Sequence, residues 1–215
     1  MTMLDDQTAG DRRAPAGFTI AVAEVTNTLD STGCGRVQVQ LPWLPGNQPW
    51  ARVAVPGAGA YRGTYVLPHP GDEVLVAFNR DDVTDCYVVG SLWSMADPPP
   101  KRGPLDPITK VAITTQVGHE IEIDDIEQTI TISTSTGQTI ELSPTTISIS
   151  TAGDTAAVAL QQTGDIKLTA LKSISLEAPQ VTINGTARVS VESGTNVSIN
   201  GGTSCQVQAG TILLN

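Results

Sequence analysis

From Ile121 to its last residue the chain repeats one short unit, two apolar residues separated by a single other residue. The pairs are Ile121/Ile123, Ile130/Ile132, Ile140/Leu142, Ile147/Ile149, Val158/Leu160, Ile166/Leu168, Ile174/Leu176, Val181/Ile183, Val189/Val191, Val197/Ile199, Cys205/Val207 and Ile212/Leu214. From Val158 the first members follow one another at 8, 8, 7, 8, 8, 8 and 7 residues, whereas before it the steps are 9, 10, 7 and 11. A short fixed period marks a stacked array rather than a globular core, so the regular part reads as the far end of a rod and the irregular part as its base. Alternation of apolar and polar residues makes each unit a short strand with one inward face, and the Gly, Ser, Thr, Asn, Asp and Pro between them supply the turns.

A strand with two inward side chains encloses almost no core of its own, so the inward faces must meet copies from elsewhere. The economical closure is three chains intertwined as a triangular prism, a homotrimeric β-helix. Its axial core is then expected at Ile166, Leu168, Ile174, Leu176, Val181, Ile183, Val189, Val191, Val197 and Ile199. With one layer per repeat and strands ~4.8 Å apart, such a rod is roughly 55–60 Å long, a needle without a pocket.

Composition divides the chain in two. All eight aromatic residues lie before residue 94, and twelve of the fourteen prolines lie at or before Pro107. The first part is therefore expected to pack an aromatic globular core, and the second a narrow core of branched aliphatics. The predicted organisation is a polar arm over 1–16, a barrel over 17–95, a neck over 96–119 and the needle over 120–215. The net charge of −10 speaks against nucleic acid as a partner. Met1 to Ala16 carries no apolar run, so neither a signal peptide nor a membrane span is expected, and synthesis in the cytoplasm follows.

Strands are predicted at Phe18–Val25, Gly35–Leu41, Trp50–Val55, Thr64–Leu67, Glu73–Phe78 and Cys86–Leu92, each bounded by Gly, Pro or Asp. Five or six short strands in about 80 residues without helical periodicity argue for a small closed barrel of the OB type, making the whole chain all-β.

The succession Gly35-Arg36-Val37-Gln38-Val39-Gln40, Trp50-Ala51-Arg52-Val53-Ala54, Pro56-Gly57-Ala58-Gly59, Pro70-Gly71-Asp72-Glu73-Val74-Leu75-Val76-Ala77-Phe78 and Val89-Gly90-Ser91-Leu92-Trp93 resembles one known module. It is similar to the OB-fold of the central spikes of contractile tails, the phage baseplate assembly protein V and the spike part of VgrG proteins. Pro98-Pro99-Pro100 matches that family's exit from barrel to needle. The resemblance implies a trimeric structural spike that attaches to a baseplate hub through its barrels and helps to pierce a target envelope. It also implies a PAAR-type tip protein at the far end, here contacting Ile212, Leu214 and Asn215, and a location in a virion tail baseplate or an extracellular contractile particle.

Departures from the family refine this. Only about seventeen residues precede the barrel, so a hub domain of the VgrG kind is expected on another polypeptide, with a tailocin or type VI-like device as the alternative to a phage. The space between barrel and needle, Ala96 to Thr109, holds no lysozyme domain. One histidine, His119, lies in the second half, so no His-x-His iron tip is expected. The stretch Asn79 to Asp85 replaces the family's acidic-glycine turn, and a differently shaped hairpin is expected there.

Chemistry is sparse. Cys34, Cys86 and Cys205 form no CxxC pair, and Cys205 sits at an inward repeat position. His69 and His119 have no Cys or His neighbour, and no nucleophile elbow is present. Glu120, Glu122, Asp124, Asp125 and Glu127 read as a solvated face rather than an EF-hand. Asn184-Gly185-Thr186 and Asn196-Val197-Ser198 read as corners rather than glycosylation sites. No catalytic residue, metal or cofactor is expected. A polysaccharide-binding or depolymerising β-helix is the weaker alternative, because the repeats lack Trp and Tyr for stacking on sugars.

Overall fold

A computed structural model describes residues 20–80, 82–101 and 103–213. The expected arm over 1–16 lies outside the described residues.

The first part is a closed barrel. β1 (Ile20–Asn27) pairs antiparallel with β2 (Arg36–Gln40), which pairs with β3 (Trp50–Val53). After a two-residue hairpin of β4 (Ala58–Gly59) and β5 (Arg62–Gly63), β6 (Glu73–Asn79) and β7 (Asp82–Leu92) complete the wall in the order β1-β2-β3-β7-β6. β3 and β7 run parallel, closing a sheet whose other pairs are antiparallel. That meander closed by one parallel pair is the OB arrangement. β1 alternates buried and outward residues along Ala21, Ala23 and Val25, the period that a barrel wall demands.

Two details differ from expectation. Among the described residues the core is built from valine and alanine, with Leu41, Cys86 and Phe78, and Phe78 is the one aromatic buried in it. Trp43 stands edge-on to Phe78 at 6.1 Å, while Arg36 covers Trp50 and Arg52 covers Tyr87. Tyr61, Tyr65 and Trp93 are exposed. A five-stranded barrel has room for few rings, so Phe78 enters the core with Trp43 packed against it, and Trp50, Tyr61, Tyr65, Tyr87 and Trp93 stand outside it. Second, Thr64–Leu67 is not a strand; the short hairpin before it occupies that part of the chain. In the hairpin of the Asn79–Asp85 stretch, where a distinct shape was expected, Asn79 stands opposite Asp82 in a tight turn and the register shifts between Phe78 and Asn79. Arg80 takes the positive φ of 53° that such a tight hairpin requires.

Gly71, at φ 99°, makes the turn that launches β6, as the Pro70-Gly71-Asp72 sequence predicts. The Asp72 carboxylate closes the turn by accepting the His69 N–H at 2.7 Å.

Beyond a single helical turn, α1 (Asp106–Thr109), the second part is one seven-stranded antiparallel sheet. Its strands are β8 (Lys110–Thr114), β9 (Glu120–Asp124), β10 (Thr129–Ser133), β11 (Thr139–Leu142), β12 (Thr146–Ser150), β13 (Ala156–Gln161) and β14 (Ile166–Ala170). They are bonded in sequence order, a simple meander. β8 lies within the segment expected to be neck and carries Val111 and Ile113, an apolar pair one strand ahead of the first repeat at Ile121. Residues 171–213 contain no strand.

Candidate assembly face

The register of the meander gathers the apolar pairs into two unbroken ladders. One runs Ile113, Ile121, Ile132, Ile140, Ile149, Val158, Leu168; the other runs Val111, Ile123, Ile130, Leu142, Ile147, Leu160, Ile166. Successive side chains of a strand point to opposite faces, so all fourteen occupy one side of the sheet. Seven strands ~4.8 Å apart make this face roughly 29 Å long.

Among the described residues of one chain no second layer covers it, and only the segment around Ile174 borders it. Ile140 is 38% exposed and Ile166 71% exposed, whereas a core isoleucine is normally near zero. Each ladder residue touches its cross-strand neighbours, which hides part of its surface, but its outward end meets no second layer. Covering the rest is worth on the order of 1 kcal/mol per side chain, hence on the order of 10 kcal/mol per copy.

The opposite face is satisfied within the chain. It carries Thr, Ser, Glu and Lys, and these bond laterally: Thr114 Oγ1 donates to Glu120 Oε1 at 3.0 Å, and the Thr139 and Ser150 hydroxyls lie 2.9 Å apart. Its base holds a charge network. Lys110 Nζ lies 3.1 Å from Glu122 Oε1 and 3.0 Å from Asp124 Oδ2, and Lys101 reaches Glu120 Oε1 at 2.8 Å as well as the second oxygen of Glu122. The Lys101 ammonium holds Glu122 below its ordinary pKa, with Lys110 adding to it. Asp124 is lowered first by the Glu127 N–H and then by Lys110. Both lysines are raised in turn, Lys101 chiefly by Glu120 and Lys110 chiefly by Asp124. Three of the five acids, Glu120, Glu122 and Asp124, are thus paired with lysines, one of them directly after the triple proline, so this part of the run is not the solvated face expected and ties the neck to β9. Among the described residues no group of three or more His, Cys, Asp or Glu is placed to hold a metal ion.

Of the expected core residues, Ile166 and Leu168 stand in β14 at the ends of the two ladders. Ile174 lines the same apolar depression as Leu168 and Val158. Leu176, Val181, Ile183, Val189, Val191, Val197 and Ile199 are not brought together in the single chain; they are exposed along an extended backbone, as is Ile212. Leu214 and Asn215 lie outside the described residues. Turn sterics are nevertheless set: a Cβ on Gly185 would meet Arg188 O at 2.5 Å, and one on Gly201 would meet Ser204 O at 2.1 Å. Glycine is required at both corners.

Sequence reasoning missed Val111 and Ile113, although the same apolar-x-apolar signal is present there ten residues before Ile121 and Ile123. It also missed Lys101 and Lys110 as partners of the acidic run, because pairing across strands leaves no mark in sequence spacing.

A barrel closed by a parallel pair, followed by a sheet with one finished face and one bare aliphatic face, defines a structural module made to associate with its own kind. Two family models match it. Residues 21–93 match the type VI secretion system/phage-baseplate injector OB domain, and residues 110–189 match the phage baseplate V C-terminal trimerisation domain. A comparison with curated proteins gives no match. The two domains occur in the order expected of a spike and together cover well over half of the chain, which belongs to the phage-baseplate V and VgrG-type spike proteins. Both are structural baseplate domains, and the second supports a homotrimer.

Proposed function

We propose that this chain is the central spike of a contractile tail, a homotrimeric needle that seats on the baseplate hub by its barrels and helps to breach a target envelope on contraction. The observation that carries the reading is the bare aliphatic face of the sheet, coincident with a trimerisation domain. Three copies placing these faces around one axis form a dry shaft whose outer surface is the hydrogen-bonded polar face. Its action is mechanical: force passes along a rod in which opening any layer disturbs all three copies.

The axial core of the far half is assigned to Ile174, Leu176, Val181, Ile183, Val189, Val191, Val197 and Ile199, continuing from Ile166 and Leu168. Ile212, Leu214 and Asn215 are assigned to contact with a PAAR-type tip protein, since the apolar repeat continues to Ile212 and Leu214 and such a protein would cap that apolar stripe.

Particles assembled with and without this chain, compared by electron microscopy with a gold label on it, test the proposal. Label at the centre of the baseplate, and loss of envelope penetration without the chain, are expected. Label on the tail sides, or unchanged penetration in its absence, would overturn the reading. A pull-down with the trimer as bait tests the tip assignment, where failure to recover a small capping protein from the same assembly counts against it.

A further inference from the structure

The barrel carries an apolar surface of its own, on the outer side of β1, β6 and β7. There the register sets Ile20 opposite Ala77 and Ala77 opposite Tyr87, and one step along it sets Val22 opposite Leu75. All of these alternate with core residues and so point away from the barrel interior. The register shifts between Leu75 and Val76, and the resulting bulge presents both Val89 and Gly90 to Leu75. Ile20, Val22 and Val89 are between 44% and 52% exposed.

Charge brackets this patch. At one end Glu24 stands directly opposite Glu73, a like-charged pair that a sheet disfavours, and neither forms an ion pair among the described residues. On the β3 side Arg52 lies over the Tyr87 ring at 5.5 Å and, among the described residues, meets no carboxylate. Gly90 stands between these charges. Its φ is not positive, and a Cβ built on it would meet nothing within 4 Å, so no described residue of its own chain requires glycine there. A glycine inside a strand weakens it, and one left without a local reason marks a place where another backbone approaches closely.

Resting on the homotrimer, we propose that this wall is where the three barrels meet. Each copy turns it toward the common axis, so that its β1 flank lies against the β7 and β3 flank of the next.

Size and tether identify the occupant as a second copy of this chain. Three strands ~4.8 Å apart and five residues at ~3.3 Å make a wall of roughly 200–250 Å². A free-standing interface needs about 800 Å² from each partner, so this contact holds only between bodies already joined. The shaft joins them. Lys101 is tied to Glu120 and Glu122, which leaves residues 93–100 between β7 and the base of the shaft. Eight residues reach at most roughly 30 Å. Barrels held that close to one axis meet at millimolar effective concentration, where a small apolar contact suffices. A threefold ring also sets unlike flanks together, and these flanks carry opposite charge, Glu24 on β1 and Arg52 on β3.

The test is a disulfide that only a second copy can complete. Val22→Cys/Val89→Cys, in a background with Cys34→Ser and Cys205→Ala, places thiols on β1 and β7. Within one chain β6 lies between those strands, so the two Cα atoms are at least ~9.5 Å apart, beyond the ~4.4–6.8 Å that a disulfide spans. Mild oxidation of the purified full-length protein should give dimers and covalent trimers on a denaturing gel, with the native mass still that of a trimer. Adding Gly90→Leu, which its own chain has room for, should slow the bridging at least tenfold while Trp43 fluorescence remains that of a folded barrel. Chains that stay monomeric on the gel while the native mass is trimeric, or bridging that Gly90→Leu leaves unchanged, would overturn the barrel contact and leave the homotrimer standing. A native mass other than that of a trimer would overturn the homotrimer itself.

A single thiol separates the other occupants and keeps the proposal testable should the double variant fail to fold. In the purified trimer, maleimide should label Val22→Cys at least tenfold more slowly than Leu29→Cys, at an exposed site away from the wall. Equal labelling would overturn the proposal. Protection that arises only in assembled particles would assign the wall to another baseplate protein, and protection without bridging would assign it to residues 1–19. Either result overturns the contact between copies.

Discussion

Truncation of one ladder residue, Ile140→Ala, isolates the energy of the bare face. Ile140 pairs with Ile132 on one side and Ile149 on the other, and 38% of it remains exposed in the single chain. Its covered share is lost from monomer and trimer alike and cancels from the dissociation equilibrium. Full burial of an isoleucine is worth about 1.5–3 kcal/mol, so the share left to assembly is about 0.6–1.1 kcal/mol per copy and about 2–3 kcal/mol for three. That multiplies the trimer dissociation constant about 30- to 140-fold. Three bodies share the change, so the concentration at half-dissociation rises about 5- to 12-fold. Sedimentation velocity across a dilution series, in enough denaturant to bring wild type into range, measures it. Thr131→Ala, on the opposite face in the same hairpin, should shift the midpoint by less than about twofold. An unchanged midpoint for Ile140→Ala, or an equal shift for Thr131→Ala, would show that these side chains do not form the interface.

Three further outcomes follow from the barrel, the thiols and the charge network. Leu41→Ala, at a fully buried site, should lower barrel stability by about 2–5 kcal/mol, read by denaturant unfolding followed at Trp43, with no change in trimer mass. Burial pushes the Cys86 thiol up to about 11, so native protein should leave it unlabelled by maleimide at pH 8; Cys34 should react, and Cys205, exposed in the single chain, should be protected in the trimer. The depressed carboxylates Glu122 and Asp124 contribute stability above their ordinary values of 4.5 and 3.8 and lose it as pH falls through their folded values. The raised lysines contribute theirs fully below 10.5 and lose it only above that. Exchange at β8 and β9 should therefore accelerate below about pH 4.5, and Lys101→Met should move the Glu122 titration upward by nuclear magnetic resonance.

The barrel was legible because its signals are local. Alternation along Arg36–Gln40 and Glu73–Asn79 and the Pro70-Gly71-Asp72 turn are short-range consequences of strand geometry and glycine φ. The aromatic core was not, because clustering of rings in one half says nothing about which wall they face. Ring size against barrel radius decides that, and radius is a property of closure. Trp50 and Tyr87 accordingly sit under arginines instead of within the core.

In the shaft the same alternation fixes which side chains face inward but is silent on which chain supplies the neighbouring strand. Ile140 and Ile183 are each an apolar member of a repeat pair, yet Ile140 has cross-strand partners in its own chain and, among the described residues, Ile183 has none. A period of two residues describes a strand, and pairing within or between chains leaves that period unchanged. What differs is the neighbour available to each strand, a property of the folded chain: β14 has β13 on one side and, among the described residues, no strand on the other.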